Sequence, residues 1–359
     1  FFEYITAGSW TGSTLYSNQN DLKKIKFRQR VVRDISDRST HTKLLGKDVS
    51  LPLALAPCGL SGMIYPDGEI HAAKAAEKFG VPYTLSTMSI TSIEDLAENI
   101  SSQFWFQLYV MKNHDFSKKL IQRAKSANCS ALVLTVDLQL LGQRHCDIKN
   151  GLSSPPKLTI KNLFNMFSKP FWSLGMLRTT RKNFGNIVGH VDGVSDNTKL
   201  SAWIDEQFDL RLNWDDVARI RDLWNGKLII KGILDPEDAL AAEKLGVDAI
   251  VVSNHGGRQL DQTISSISAL SNIVNILKSD TELWLDGGIE SGQDIAKAIA
   301  IGAKGTMIGK SYLYGLGAGG EKGVIRVLEI MQKELELTIG LCGYSKISEI
   351  DKRMVHSEM

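Results

Sequence analysis

Residues 249–261 read Ala-Ile-Val-Val-Ser-Asn-His-Gly-Gly-Arg-Gln-Leu-Asp. The first four are apolar and mostly β-branched, the composition of a buried strand. The run stops in Ser253, Asn254 and His255, followed by two glycines and Arg258. A titratable ring, a freely bending backbone and a permanent cation therefore meet at one strand end. A site that takes a proton from a substrate while holding the substrate's negative charge needs that combination. The plainer reading is a strand followed by a polar turn, and the two are separated by what the rest of the chain does.

Outward from this stretch the same pattern recurs. Short apolar runs predict strands at 51–57, 81–87, 104–110, 131–137, 227–233, 249–255, 282–288 and 305–310. Amphipathic stretches rich in Ala, Lys and Glu predict helices between most of them, as at 71–79, 116–127, 236–245 and 292–301. Strand and helix alternating eight times predict an α/β fold, a closed (β/α)8 TIM barrel. A doubly wound open sheet is the competing architecture, but no glycine-rich dinucleotide fingerprint follows the first strand. With 359 residues, 43% of them hydrophobic, the chain suffices for one such domain over 1–359. Its connection after strand four is long, covering 138–226, and is read as a lid or membrane-contact segment.

A barrel gathers its reactive side chains at the C-terminal ends of its strands. In order, those ends carry Pro57 and Cys58, Ser86, Gln107 with Tyr109, Thr135 with Asp137, Lys231, Ser253 with His255, Asp286-Gly287-Gly288, and Gly309-Lys310. Alternate strand residues share a face, so Gln107 and Tyr109, like Thr135 and Asp137, are expected on one side. Taken singly, Asp137 reads equally well as a helix cap and Lys231 as a surface lysine. Ser86 and Thr135 alone read as structural. Repetition on most strands is what core packing does not explain. The last two strand ends predict a phosphate cradle, their glycines letting backbone N–H groups approach an anion.

Composition excludes some classes. A balance of 42 basic against 40 acidic residues argues against nucleic acid as the main partner. Cys58, Cys129, Cys146 and Cys342 have no paired spacing, so neither a metal site nor a disulfide framework is expected, and a reducing compartment is. No apolar run approaches a membrane span, and no signal peptide is visible. The sequence opens at Phe1 rather than Met, so some N-terminal residues are expected to be missing.

The chain resembles the FMN-dependent L-2-hydroxy acid oxidases and dehydrogenases. The resemblance rests on Ala-Pro-Cys-Gly-Leu-Ser-Gly (56–62), Trp-Phe-Gln-Leu-Tyr-Val (105–110), Leu-Thr-Val-Asp (134–137), Ile-Lys-Gly-Ile-Leu-Asp-Pro-Glu-Asp-Ala (230–239) and Ser-Asn-His-Gly-Gly-Arg-Gln-Leu-Asp (253–261). The last is the most specific. The 230–239 segment and the long insertion look most like the family's bacterial respiratory L-lactate dehydrogenases.

That resemblance implies FMN as cofactor and a small L-2-hydroxy acid, L-lactate first, as substrate. His255 would be the base, with Asp137 stabilising its protonated form. Arg258 and Arg144 would hold the substrate carboxylate, with Tyr109 and Tyr4 hydrogen-bonding around it. Lys231 would lie beside the flavin N1–O2 edge, and Ser86, Gln107 and Thr135 would bind the ring, with backbone from Ala56 through Pro57 to Cys58 behind it. Ser253, Asp286, Gly287, Gly288, Gly309 and Lys310 complete the expected cofactor set. The resemblance also implies a homo-oligomer, a tetramer in the family, peripheral on the cytoplasmic side of the bacterial inner membrane. Electrons would pass to a membrane quinone, or to O2 in the alternative oxidase reading; a mandelate-type dehydrogenase is a further alternative. Whether the substrate Cα–H leaves as proton or hydride stays open.

The residue types suit this chemistry. An arginine fork matches a planar carboxylate. A histidine titrates near neutrality, and a carboxylate beside it favours the imidazolium. Three departures from the family pattern stand out. Glu290 and Ser291 occupy a stretch where the family has an arginine, and Lys310 replaces a second one. A carboxylate near a phosphate is unfavourable, which prompts a remote alternative, a non-catalytic flavin- or phosphate-binding barrel. An inosine-monophosphate-type barrel would need a catalytic cysteine loop that is not found here. The third departure is Met88, where glycolate oxidase has an aromatic residue, so the pocket is expected to admit acids larger than glycolate.

Within the insertion, residues 151–190 contain six Lys or Arg and no Asp or Glu. Residues 158–177 interleave Lys161 and Lys169 with Leu163, Phe164, Met166, Phe167, Phe171, Trp172, Leu174 and Met176. Such a mixture suits an anionic membrane surface; a lid over the flavin or a subunit contact is the alternative.

Overall fold

The computed structural model describes residues 2–150, 168–190 and 208–356. Eight strands form one parallel sheet: β1 (Leu53–Leu55), β2 (Thr84–Ser86), β3 (Trp105–Leu108), β4 (Ala131–Thr135), β5 (Lys227–Ile233), β6 (Ala249–Ser253), β7 (Glu282–Asp286) and β8 (Gly305–Ile308). Each pairs with its sequence neighbours, and β8 pairs with β1. Closure between β1 and β2 comes from a bridge of Leu55 to Tyr83, with the Leu55 N–H donating to the Pro82 carbonyl at 2.9 Å. The result is the expected (β/α)8 barrel.

Its strands are apolar on both faces because both are packed. Inside, Ala54, Val133, Ile229, Val251 and Met307 surround Trp105 and Trp284, whose rings meet edge-on at 5.4 Å. The antiparallel hairpin of Thr42–Leu44 and Lys47–Val49 adds Leu44 and Val49 to this interior. Its Leu45 N–H donates to Glu282 Oε1, at the start of β7, so the hairpin plugs the N-terminal end of the barrel. The opposite end is left for chemistry.

Outside, the helices bury one stripe each against the strands. Their starts are written in the sequence as side-chain caps: Ser92 before Ile93–Asn99, Asn113 before His114–Ser126, Asp235 with Pro236 before Pro236–Lys244, Ser265 before Ser266–Ile273, and Ser291 before Gly292–Ile301. The last helix, Lys310–Leu341, is interrupted by non-helical backbone at Gly319 and Gly320.

The predicted strands overrun the observed ones by two residues at six C-terminal ends and by one at β2, and β5 alone matches at both of its ends. Tyr109, Asp137, His255 and Lys310 lie just past the strands, where the chain leaves the ladder for the loops of the barrel mouth. Part of the basic insertion, 151–167, lies outside the described residues; Pro170–Arg178 within it is a helix. Among the described residues, no helix is long and apolar enough to cross a membrane.

Candidate active site

Strand register sets the first layer of the site. Ser86 pairs with Gln107, Thr135 with Lys231, and Ser253 with Asp286, so three polar pairs stand side by side across neighbouring strands. Ser86 Oγ donates to Gln107 Oε1 at 3.0 Å. Lys231 Nζ lies 2.7 Å from Asp286 Oδ2 and donates to Ser253 Oγ at 3.0 Å, and Ser253 Oγ donates to the same Asp286 oxygen. Lys231 is only 3% exposed, which rules out the surface-lysine reading. Burial opposes its charge, but Asp286 and Asp137 outweigh that and hold its pKa above the ordinary lysine value.

The second layer is the loop after β6. His255, Gly256 and Gly257 take left-handed φ of 58°, 64° and 72° in succession. This turn returns the chain across the barrel mouth and brings Arg258 over it. Only glycine fits at 257, where a Cβ would stand 2.5 Å from the Leu15 nitrogen. The turn is fixed from the N-terminal segment: Asn18 and Asn254 exchange amide hydrogen bonds of 2.8 and 2.7 Å, and Asp261 accepts from the Thr11 and Thr14 N–H groups.

Within this frame His255 Nδ1 lies 3.0 Å from Asp137 Oδ1. With its proton on Nδ1, the ring offers Nε2 to the cleft that His255 lines. Burial tends to raise the Asp137 pKa, but His255, by charge and hydrogen bond, and then Lys231 bring it below the ordinary carboxylate value. Asp137 is therefore an ionised partner, not a helix cap. The loop carrying it is stapled to the His255–Arg258 segment by Gln259, whose amide donates to the Asp137 and Leu140 carbonyls, both at 2.7 Å, and accepts from the Gly142 N–H.

A cationic cluster lines the same cleft as His255. Arg258 and Arg144 both lie over the Tyr4 ring, 4.7 and 5.4 Å from its centroid. Arg258 also donates to the Tyr4 and Ala7 carbonyls. Tyr4 thus acts as a stacking platform for two guanidiniums, beyond the hydrogen-bonding role the resemblance implies.

These groups open into one cleft of about 360 Å³, a size usual for small-molecule and cofactor sites. Of the sequence-predicted residues, Tyr4, Ala56, Pro57, Cys58, Ser86, Met88, Tyr109, Arg144, Lys231, His255, Arg258, Asp286, Gly287, Gly288, Gly309 and Lys310 line it. Gln107, Thr135, Asp137 and Ser253 do not. Each stands one residue behind: Gln107 on Ser86, Thr135 beside Lys231, Asp137 on His255, and Ser253 on Lys231. Burial pushes the Cys58 thiol up to about 11, so it stays protonated and is no nucleophile.

Sequence reasoning missed several lining residues. Phe184 and Phe208 come from the insertion and carry no motif; Phe208 packs edge-on against Tyr109 at 5.7 Å. Asp147 pairs with Arg144, and its i,i+3 spacing from that arginine was the available signal. Gln19, from the N-terminal helix Ser13–Lys24, donates to Glu290, and both line the cleft with Gly287, Gly288 and Lys310.

The residues present fit a flavin. Among the described residues Gln107 Nε2 and Thr135 Oγ1 are buried without a hydrogen-bond partner. Two orphaned donors at barrel-mouth level suit a ring edged with carbonyl and imine acceptors. Gly287, Gly288, Gly309, Lys310 and the start of the Lys310–Leu341 helix form an anion-binding end.

A barrel with an anion-binding end, orphaned ring-level donors, a His–Asp dyad and two arginines defines a flavin-dependent oxidoreductase. The chain belongs to the FMN-dependent dehydrogenase family, whose model matches residues 1–357, and FMN is its cofactor. It is 43% identical over 353 residues to an L-lactate dehydrogenase of Haemophilus influenzae (strain PittEE), covering 97% of this chain and 92% of that protein. To an L-lactate dehydrogenase of Vibrio parahaemolyticus it is 41% identical, covering 98% and 93%. Among solved structures it is similar to the monotopic membrane protein (S)-mandelate dehydrogenase, with TM-score 0.94 and 34% identity over 99% of this chain and 94% of that one.

Proposed function

We propose that the chain oxidises L-lactate to pyruvate and passes the two electrons to a membrane quinone. One observation carries the reading: His255 and the Arg258–Arg144–Tyr4 cluster line the same cleft, so proton removal and carboxylate binding act on one small molecule. FMN, when bound, supplies the two-electron acceptor.

The chain's residues do the rest. Arg258 and Arg144 hold the substrate carboxylate, with Tyr4 and Tyr109 around it. His255 Nε2 takes a proton, and the ionised Asp137 stabilises the imidazolium that forms. Lys231, charged and pinned by Asp286, keeps a fixed positive charge for the electron-accepting edge of the cofactor. Gln107, Thr135 and Ser86 would bind its ring together with the backbone from Ala56 to Cys58, and Lys310 with Gly287, Gly288 and Gly309 would hold its phosphate. Loss of the Cα–H as proton or as hydride uses the same base and the same cations. Met88 leaves room beyond glycolate, while Tyr109 and Phe208 wall the cleft against large side chains.

The acceptor reading is supported by the helix Pro170–Arg178. Its Phe171, Leu174 and Leu177 are 92%, 47% and 74% exposed, at the spacing of one helix face, within the acid-free basic segment. An apolar stripe flanked by cations suits a peripheral seat on an anionic leaflet, where a quinone is at hand. The similar (S)-mandelate dehydrogenase is described as monotopic.

The test is anaerobic reduction of the purified holoenzyme. L-Lactate is expected to bleach the flavin absorbance faster than glycolate or (S)-mandelate, and a quinone analogue to restore it faster than O2. No bleaching by any 2-hydroxy acid sinks the reading. Replacing Phe171, Leu174 and Leu177 with Ser is expected to abolish sedimentation with anionic vesicles; unchanged sedimentation removes the membrane part alone.

A further inference from the structure

One lining residue works against the obvious purpose of the cleft. Asp147 lies on the short helix His145–Lys149, one turn after Arg144, and its carboxylate stands where an anionic substrate is to be held. Its Oδ2 lies 3.0 Å from Arg144 Nε, and among the described residues its buried Oδ1 has no hydrogen-bond partner. A carboxylate so placed cancels part of the field the two arginines make. Burial, opposed by Arg144 and Arg258, raises its pKa, so its ionised form is held there at a cost.

What the placement achieves is directional. The Arg144 guanidinium meets the Tyr4 ring on one side, 5.4 Å from the centroid, and forms an ion pair with Asp147 whose nearest approach, 3.0 Å, is at Nε. The edge that remains carries the two terminal nitrogens, the pair that grips a carboxylate in bidentate fashion. We propose that Asp147 is a positioning residue for Arg144, turning the terminal nitrogens of that side chain toward the substrate carboxylate. The proposal rests on the reading, given above, that Arg144 binds that carboxylate. An arginine free to rotate about its long stem would lose conformational freedom on each binding event; one already confined on a face and an edge loses less.

The experiment compares Asp147→Ala and Asp147→Asn in the holoenzyme, with L-lactate turnover and with propionate. Propionate has the carboxylate but no hydroxyl, so its binding is read by the shift it causes in flavin absorbance. In Asp147→Ala, KM for L-lactate and Kd for propionate are expected to rise together by about tenfold, the scale of one weakened charge-assisted contact. The rate of flavin reduction at saturating lactate should stay within about threefold. Asp147→Asn keeps the shape and a polar oxygen and should restore most of the binding. If Asp147→Ala does not fold, Asp147→Ser takes its place with the same expectation. Lower KM in either variant would mean that Asp147 competes with the substrate, and unchanged KM and Kd would mean that it only supports the helix; both overturn the proposal. Arg144→Met separates the underlying reading: if it leaves KM unchanged, Arg144 does not bind substrate. If it raises KM while Asp147→Ala does not, only the positioning role fails.

Discussion

Lys231 and Asp286 form an ion pair of 2.7 Å inside the barrel mouth, with the Ser253 hydroxyl bonded to both. Such a pair adds little over an apolar isostere, but losing one partner strands the other charge in a dry site, at about 3–5 kcal/mol. Lys231→Met is therefore expected to lower unfolding stability by that order and to slow flavin reduction, since the fixed positive charge is gone. The Lys231 pKa is raised in the fold, so its stabilisation is complete below the ordinary lysine value of 10.5 and is lost as pH rises through the folded value. Urea unfolding of wild type from pH 7 to 11 checks this: stability attributable to Lys231 should hold through pH 9 to 10 and decline only above, with no such decline in Lys231→Met.

Removing the base should leave binding and stop chemistry. His255→Gln is expected to slow anaerobic flavin reduction by about 10²–10⁴-fold, the usual range for a positioned base, with propionate affinity changed little. Asp137→Asn keeps the shape but removes the charge that favours the imidazolium. It should cost about 10²-fold in flavin reduction and leave a residual rate above that of His255→Gln. Stopped-flow reduction at one pH distinguishes the two variants. A loss of binding equal to the loss of rate would place His255 in substrate grip instead.

Much of this architecture is legible in the sequence for a definite reason. A barrel strand is short, apolar and ends in the residues that face the mouth, so periodicity and chemistry change at the same place; Ala249–Ser253 followed by His255 is such a case. The caps at Ser92, Asn113 and Ser291 are equally local signals. What does not read off is contact between distant segments. The amide exchange of Asn18 with Asn254 joins residues 236 apart, and the Gln259 staple to Asp137 joins residues 122 apart. The sequence predicts strands that run too far because Asp137 follows an apolar run directly and no Gly or Pro stands between Ser253 and His255, and a left-handed histidine has no signature of its own. Apart from its spacing from Arg144, Asp147 carries no sequence signal, because a carboxylate runs against the charge of an anion site and only its ion pair with Arg144 accounts for it.

Gly232 gives the dyad its room. At φ 106°, it faces Asp137 so closely that a Cβ would lie 2.6 Å from the carboxylate carbon. Gly232→Ala must therefore strain the backbone and displace Asp137 from His255. The expected result is a loss of about tenfold or more in flavin reduction, beyond any loss of FMN content, because the base loses its oriented partner. Titrating FMN content and measuring reduction per bound flavin separates the two effects. Full activity per flavin would mean that the Asp137–His255 contact is not needed.

The phosphate end of the cleft is short of positive charge. In the proposed reading Lys310 is the cation there among the described residues, and burial first, then Arg258, push its ammonium down to about 8, against the opposing pull of Glu290 and Asp286. Below that pH the apoprotein carries the charge a phosphate needs; above it, binding must also recruit a proton. FMN affinity is therefore expected to fall as pH rises past 8, by up to tenfold per unit until the pKa of the bound form is reached. Glu290 lines the same end, held by the Gln19 amide. Replacing it, as Glu290→Arg, removes a repulsion and adds a donor, so Kd for FMN at pH 7 should fall by about tenfold. The Glu290 carboxylate also helps Lys310 keep its proton, so the pH break in the variant should move below 8. Quenching of FMN fluorescence on titration into apoprotein at pH 7, 8 and 9 measures both effects without turnover. An unchanged Kd in the variant would mean that the residue-290 side chain does not reach the phosphate, and a flat pH dependence in wild type would mean that backbone amides, not Lys310, hold it.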